Sequence, residues 1–176
     1  MGIDEFREQY GPLLIAACEW RAMHTDPAPL AEDILQTLAS KETFTLRAAY
    51  QALDKVVFDS YSRHSDSTSI LDRLRGKVAE LPNAPKDTPE QAKLRDALSR
   101  LRRRDRDLLQ RAYWDELTES ELAEVDGADA PTVVQRREQA LNNYRKLIAR
   151  LSPDSDPGEA SRLLRGIKPG LRTRWE

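Results

Sequence analysis

A chain of 176 residues, 33% charged and only 6% aromatic, has room for one medium domain or two small ones, and it holds no apolar window long enough to span a bilayer. Its formal net charge of -2 excludes indiscriminate coating of nucleic acid, which needs a strongly basic surface, so DNA binding is expected to be weak alone or assisted by a partner. The single cysteine, Cys18, excludes an internal disulfide, and with only His24 and His64 beside it no metal site is expected.

The N-terminus, MGIDEFREQY, has neither the basic start nor the apolar run of a signal peptide, so a cytoplasmic protein without membrane insertion is expected. Asp4 to Met23 repeats apolar residues at three- and four-residue steps (Phe6, Tyr10, Leu13, Leu14, Ala17, Cys18) and reads as a helix with a kink or late start at Pro12. His24 to Pro29 reads as a turn, its two prolines ending helical continuation. A second helix is expected from Leu30 to about Ser40, with Leu30, Ile34, Leu35 and Leu38 inward and Glu32, Asp33 and Gln36 outward. After a break at Lys41 to Thr45, a third amphipathic stripe runs from Leu46 to Tyr61 through Ala49, Leu53, Val56 and Val57. Trp20, Tyr50 and Phe58 are expected in the core, and Cys18 as a small buried hydrophobe. Residues 1–64 carry 6 Lys+Arg against 10 Asp+Glu, a surface suited to protein more than to nucleic acid.

Residues 65–88 read as a linker: a polar exit from His64 to Thr68, a helical turn or two within Ile70 to Leu81, then a stiff spacer set by Pro82, Pro85 and Pro89. The second domain, 89–151, opens with Leu94, Ala97, Leu98 and Leu101 on one helical face and continues through Arg102, Arg103 and Arg104. Asp105 is expected to cap a helix whose Leu108, Leu109, Ala112 and Tyr113 face inward, with Trp114 packed on Leu117.

Thr118 followed three residues later by Glu121 is a capping box, and it places a short helix from about Glu119. Leu122 and Val125 share its apolar face, and Asp126-Gly127 ends it. Asp129 as N-cap and Pro131 in the first turn then start a long helix from Ala130 to about Arg150. Two helices joined so tightly make a helix-turn-helix, with Thr132, Val133, Gln135, Arg136 and Arg137 near the start of the reading helix, where side chains reach base edges and phosphates. Beyond Leu151 the fold is expected to end, leaving a tail, 152–176, with a short helix around Arg162 to Arg165 and a loose basic end. There is no Gly-rich phosphate loop, no H-E-x-x-H and no nucleophile elbow, so neither an enzyme nor a cofactor is expected. The predicted fold is all-α, two small helical domains joined by a flexible linker.

Residues 101–151, from Leu101 through Arg104-Asp105-Arg106-Asp107, Tyr113, Leu117-Thr118, Glu121-Leu122-Ala123, Gly127, Thr132-Val133, Arg136, Ala140 and Leu147, resemble region 4 of bacterial RNA polymerase sigma factors of the extracytoplasmic function group. Helix-turn-helix domains of response regulators share much of that pattern. The N-terminal segment separates the two, because FREQYGPLLIAACEW resembles the opening helix of the sigma family and LAEDILQTL its acidic region 2.2. The resemblance implies an alternative sigma factor whose partners are core RNA polymerase, promoter DNA and an anti-sigma factor. It places Glu32, Asp33 and Gln36 against the polymerase clamp, Tyr50, Lys55 and Arg63 at the -10 element, and the second helix-turn-helix helix at the -35 element. The chain departs from the family pattern at Ala48, Asp54 and Lys55, and at Val134, Gln139 and Leu141, where family basics are replaced, so thinner DNA contact is implied. Two other classes fit the same residues: a sigma-like adaptor that occupies polymerase or an anti-sigma partner without initiating, and a stand-alone helix-turn-helix repressor.

Overall fold

A computed structural model describes residues 2–22, 26–67, with side chains through Asp59, and 87–169. The protein is all-helical, with no strand among the described residues. Its helices are α1 (Ile3–Arg21), α2 (Pro27–Ser40), α3 (Leu46–Ser67), α4 (Pro89–Ser99), α5 (Arg103–Tyr113), α6 (Glu119–Asp126), α7 (Ala130–Leu151) and α8 (Ala160–Gly166), with a 3-10 turn at Pro157–Glu159. They separate into two compact units, α1 to α3 and α4 to α8. No helix of the described residues is long and apolar enough to cross a membrane.

In the first unit α2 lies between α1 and α3, with a lighter contact of α1 on α3. The stripes meet in a core of Phe6, Leu14, Cys18, Ile34, Leu38 and Leu53, each at most 1% exposed. Pro12 does not delay α1, which starts at Ile3 and runs through it. Pro12 and Glu8, whose carbonyl loses its amide partner, both face solvent, where water can satisfy that carbonyl. The prolines at 27 and 29 do not precede α2 but begin it. Asp26 caps the helix by accepting from the Ala28 amide at 3.1 Å, and both prolines sit in the first turn, where a missing N–H costs nothing. Met23, the expected end of the first helix, and His24 and Thr25 of the expected turn lie outside the described residues.

α3 extends to Ser67, three residues into the stretch expected to be linker. Tyr50 is 1% exposed, as a core residue should be, whereas Phe58, expected beside it, is 70% exposed. The reason is periodicity: Leu46, Ala49, Tyr50 and Leu53 form the buried stripe, while Phe58 follows Gln51 and Asp54 onto the opposite face. The expected helical turns within 70–81, the spacer at Pro82 and Pro85, the side chains of Tyr61 and Arg63, and the basic end from 170 lie outside the described residues.

The second unit is built around α7, against which α4, α5, α6 and α8 all pack. Thr88 and Gln91 form a capping box that starts α4, so Thr88 belongs to this unit and not to a spacer. Asp105 is not an N-cap: α5 begins at Arg103, and Asp105 lies in its first turn, accepting from Asn143 Nδ2 at 3.3 Å. Nor does the fold end at Leu151. Ser152 and Ser155 are buried and bonded to each other at 2.8 Å, and Ser155 donates to Glu90 of α4 at 2.9 Å. Ala160, Leu164 and Ile167 of the C-terminal segment are at most 1% exposed. The segment packs on α7, α4 and α5, and Trp114 bonds it twice: its Nε1 donates to the Leu164 carbonyl at 2.8 Å and its own carbonyl accepts from Lys168 Nζ at 2.6 Å.

Candidate nucleic-acid interface

The turn between α6 and α7 is specified residue by residue. Thr118 Oγ1 accepts from the Glu121 amide at 3.3 Å while Glu121 Oε2 accepts from the Thr118 amide at 2.8 Å, so both orphan donors at the start of α6 are used. At its end Gly127 takes a left-handed conformation, φ 64°, and two bonds close the helix: Gly127 N–H to Glu124 O at 3.3 Å and Ala128 N–H to Ala123 O at 3.1 Å. Two residues later Asp129 starts α7, accepting from the Thr132 amide at 2.8 Å and the Thr132 hydroxyl at 2.9 Å. Leu122, Val125 and Val133 fix the angle between the two helices by burying one small apolar seam.

These two bonds, the amide first and the hydroxyl second, hold the Asp129 carboxyl below its ordinary value of 3.8. A carboxylate depressed in the native state stabilises the fold above its unfolded value, and that contribution is lost as pH falls through the lower native value. Below pH 3.8 the wild type is therefore expected to lose thermal stability faster than Asp129→Asn, which keeps a cap without the titration. Parallel melts of the two proteins across that range check the result. Burial pushes the Tyr144 phenol in the opposite direction, well above its ordinary value of 10.0, and Tyr144 instead donates to the Leu94 carbonyl at 3.3 Å, tying α7 to α4.

The five residues expected to reach DNA from the start of α7 do not share one environment. Gln135 is exposed. Thr132 is half-buried and committed to the cap of Asp129. Val133 is fully buried, because it continues the stripe of Ala140, Leu141, Tyr144 and Ile148 back to the helix start, and it is a core residue. Arg136 is turned back to Asp126 at 3.2 Å, and Arg137 to Glu119 at 3.2 Å and Glu138 at 3.8 Å. Asp126, at the end of α6, receives two further guanidinium groups from α5, Arg104 at 3.6 Å and Arg111 at 3.8 Å. Three cations thus converge on one largely buried carboxylate at the junction of α5, α6 and α7. Sequence reasoning passed over Asp126 and Arg111 in this role. Asp126 lies 22, 15 and 10 positions from Arg104, Arg111 and Arg136, and no spacing rule within one helix connects them.

In the first unit Glu32 is bonded to Arg7 of α1 at 2.9 Å, while Asp33 and Gln36 are exposed on α2. Lys55 is exposed on α3, and Arg63 lies on the last turns of that helix. Tyr50, expected to meet an unpaired base, is covered, with the Arg21 guanidinium 5.6 Å from its ring centroid. Among the described side chains of the two groups expected in this unit, Asp33, Gln36 and Lys55 are exposed, Glu32 is partly exposed and Tyr50 is buried.

No protein-family model matches the sequence, and no curated protein is significantly similar to it.

Proposed function

We propose that the protein is a divergent transcription initiation factor of the sigma type, which binds core RNA polymerase and directs it to a promoter. The observation that carries the reading is the helix-turn-helix from Thr118 to Leu151, whose capping box, left-handed Gly127 and Asp129 cap present the exposed side of α7 beside a cluster of arginines. The acidic first unit, with Asp33 and Gln36 exposed on α2, would meet the polymerase, and Lys55 and Arg63 of α3 the -10 element. α7 would meet the -35 element. With a net charge of -2, duplex affinity rests on the polymerase supplying the second point of attachment. Such a factor acts in the cytoplasm and is held in check by an anti-sigma partner.

A run-off transcription assay with core polymerase and the DNA upstream of the protein's own gene tests this. A transcript that depends on the protein is expected, and failure to bind core polymerase would overturn the proposal. A second reading, an adaptor that binds polymerase without opening the promoter, is favoured by the burial of Tyr50 and by the tethering of Arg136 and Arg137. Permanganate-reactive thymines at a -10 element separate the two, since only the initiating factor produces them.

A further inference from the structure

The exposed side of α7 is not the basic surface that a phosphate-binding helix presents. Gln135, Gln139 and Asn142 follow one another at four- and three-residue steps on the side opposite Val133, Ala140, Leu141 and Tyr144, and all three are exposed. Between Pro131 and Ala149 no exposed residue of this helix is apolar, so the face lacks the aromatic or aliphatic anchor around which protein interfaces form. Two of the cations that would give sequence-independent affinity near this face are tethered, Arg136 to Asp126 and Arg137 to Glu119, while Lys146 is exposed one turn beyond Asn142. What the helix offers at this face is a row of carboxamides, each carrying a donor and an acceptor side by side, with one exposed carboxylate, Glu138, and one exposed cation, Lys146, interspersed among them.

That pairing has one complement among the base edges of the major groove, adenine, which presents N7 as acceptor and N6 as donor. The amides are also partly oriented. Gln139 Nε2 donates to Asn143 Oδ1 at 3.4 Å, which leaves its second hydrogen and its carbonyl for a base, and Asn143 in turn donates to Asp105 of α5. Asn142 Oδ1 accepts from Arg145 at 2.6 Å. The start of α5, with Arg102 exposed at its N-cap and Arg103 exposed and only loosely paired with Asp107 at 3.6 Å, lies beside the row through the Asn143 bond and can hold the phosphate backbone alongside it.

We infer that Gln135, Gln139 and Asn142 are the base-reading row of this protein and that they select duplex DNA containing adenines at neighbouring steps. The inference rests on the proposed role of the helix-turn-helix in DNA binding and adds to it what is recognised and by which groups. Gln135 and Gln139 are about 6 Å apart along the helix axis. Base pairs rise by about 3.4 Å, so the two preferred A·T pairs lie roughly two steps apart.

The test is binding selection from a randomised duplex library with the full-length protein, alone and with core RNA polymerase, repeated for Q135A, Q139A and Q139E. All three substitutions are at exposed positions, and circular dichroism shows whether each variant keeps wild-type helicity. The wild type is expected to enrich a motif with two A·T pairs about two steps apart, and each alanine variant to lose preference at one of them by roughly ten-fold. Q139E is expected to exchange adenine for cytosine at its position, because a carboxylate accepts from cytosine N4 and cannot donate to N7. A wild-type motif that none of the three variants alters overturns the inference and leaves the DNA-binding role standing. No enrichment by the wild type, with or without polymerase, overturns the DNA-binding role and the inference with it.

Discussion

Trp114→Ala is expected to lower the stability of the second unit by about 3–5 kcal/mol, the range for truncating a large buried aromatic. Trp114 is 4% exposed and joins the end of α5 to the C-terminal segment by two bonds, one from its indole to the Leu164 carbonyl and one to its own carbonyl from Lys168. Truncation removes the indole and leaves the Leu164 carbonyl without its donor, so the cavity and the desolvated acceptor act together. Trp114→Phe separates the two effects: the ring volume is mostly kept, and a loss of about 1–3 kcal/mol is expected from the unpaired carbonyl. Urea unfolding followed by circular dichroism gives both numbers. A loss below about 1 kcal/mol for the alanine variant would mean that the segment after Ser152 does not hold α4, α5 and α7 together.

That segment is also where sequence reasoning failed most plainly. The short helix expected around Arg162 to Arg165 is there as α8, but its packing was missed: it has only Ala160, Leu163 and Leu164 as apolar side chains, and the indole bonded to its Leu164 carbonyl lies 50 positions earlier. A stripe can be read from spacing, but a contact between distant stripes cannot. The helix-turn-helix was legible for the opposite reason. Thr118, Glu121, Gly127 and Asp129 act on amides within a few positions of themselves, so local chemistry decides the structure.

The same distinction divides the candidate interface. Gln135 was found from its place near the start of α7, since exposure there follows from the helix period. Val133 could have been excluded from the site by extending the stripe of Ala140 and Tyr144 back two further turns. The tethering of Arg136 and Arg137 could not have been found that way. Their carboxylate partners lie 10 and 18 positions upstream on another helix, and only the packing of α6 on α7 brings them within reach. Charge counted along the sequence overstated the cations free to meet phosphate.

Asp126→Ala is accordingly expected to change stability and DNA binding in opposite directions. Asp126 is the common partner of Arg104, Arg111 and Arg136, and its removal takes one carboxylate from all three guanidinium groups at once. The side chain of Asp126 is 13% exposed and that of Arg111 18%, so solvent screens their interaction only partly, whereas Arg104 at 65% contributes little. A loss of about 1–3 kcal/mol is expected, led by the one contact with hydrogen-bond geometry, Arg136 Nη1 to Asp126 Oδ2 at 3.2 Å. The released Arg136 stands on the reading helix one position from Gln135, and Arg104 on the first turn of α5 beside it. Both can then reach phosphates that the wild-type protein leaves to water. Duplex affinity at low salt should rise for every sequence alike, with the slope of log K against log salt steeper by about 1 for each phosphate gained. The adenine preference of the amide row should therefore narrow relative to background, because added phosphate contacts strengthen binding without reading a base. Salt titration of a labelled duplex, with Asp126→Asn as the variant that keeps shape and removes charge, measures this. An unchanged salt slope in both variants would show that Asp126 does not hold the arginines back from DNA, and its role would then be confined to joining α5, α6 and α7.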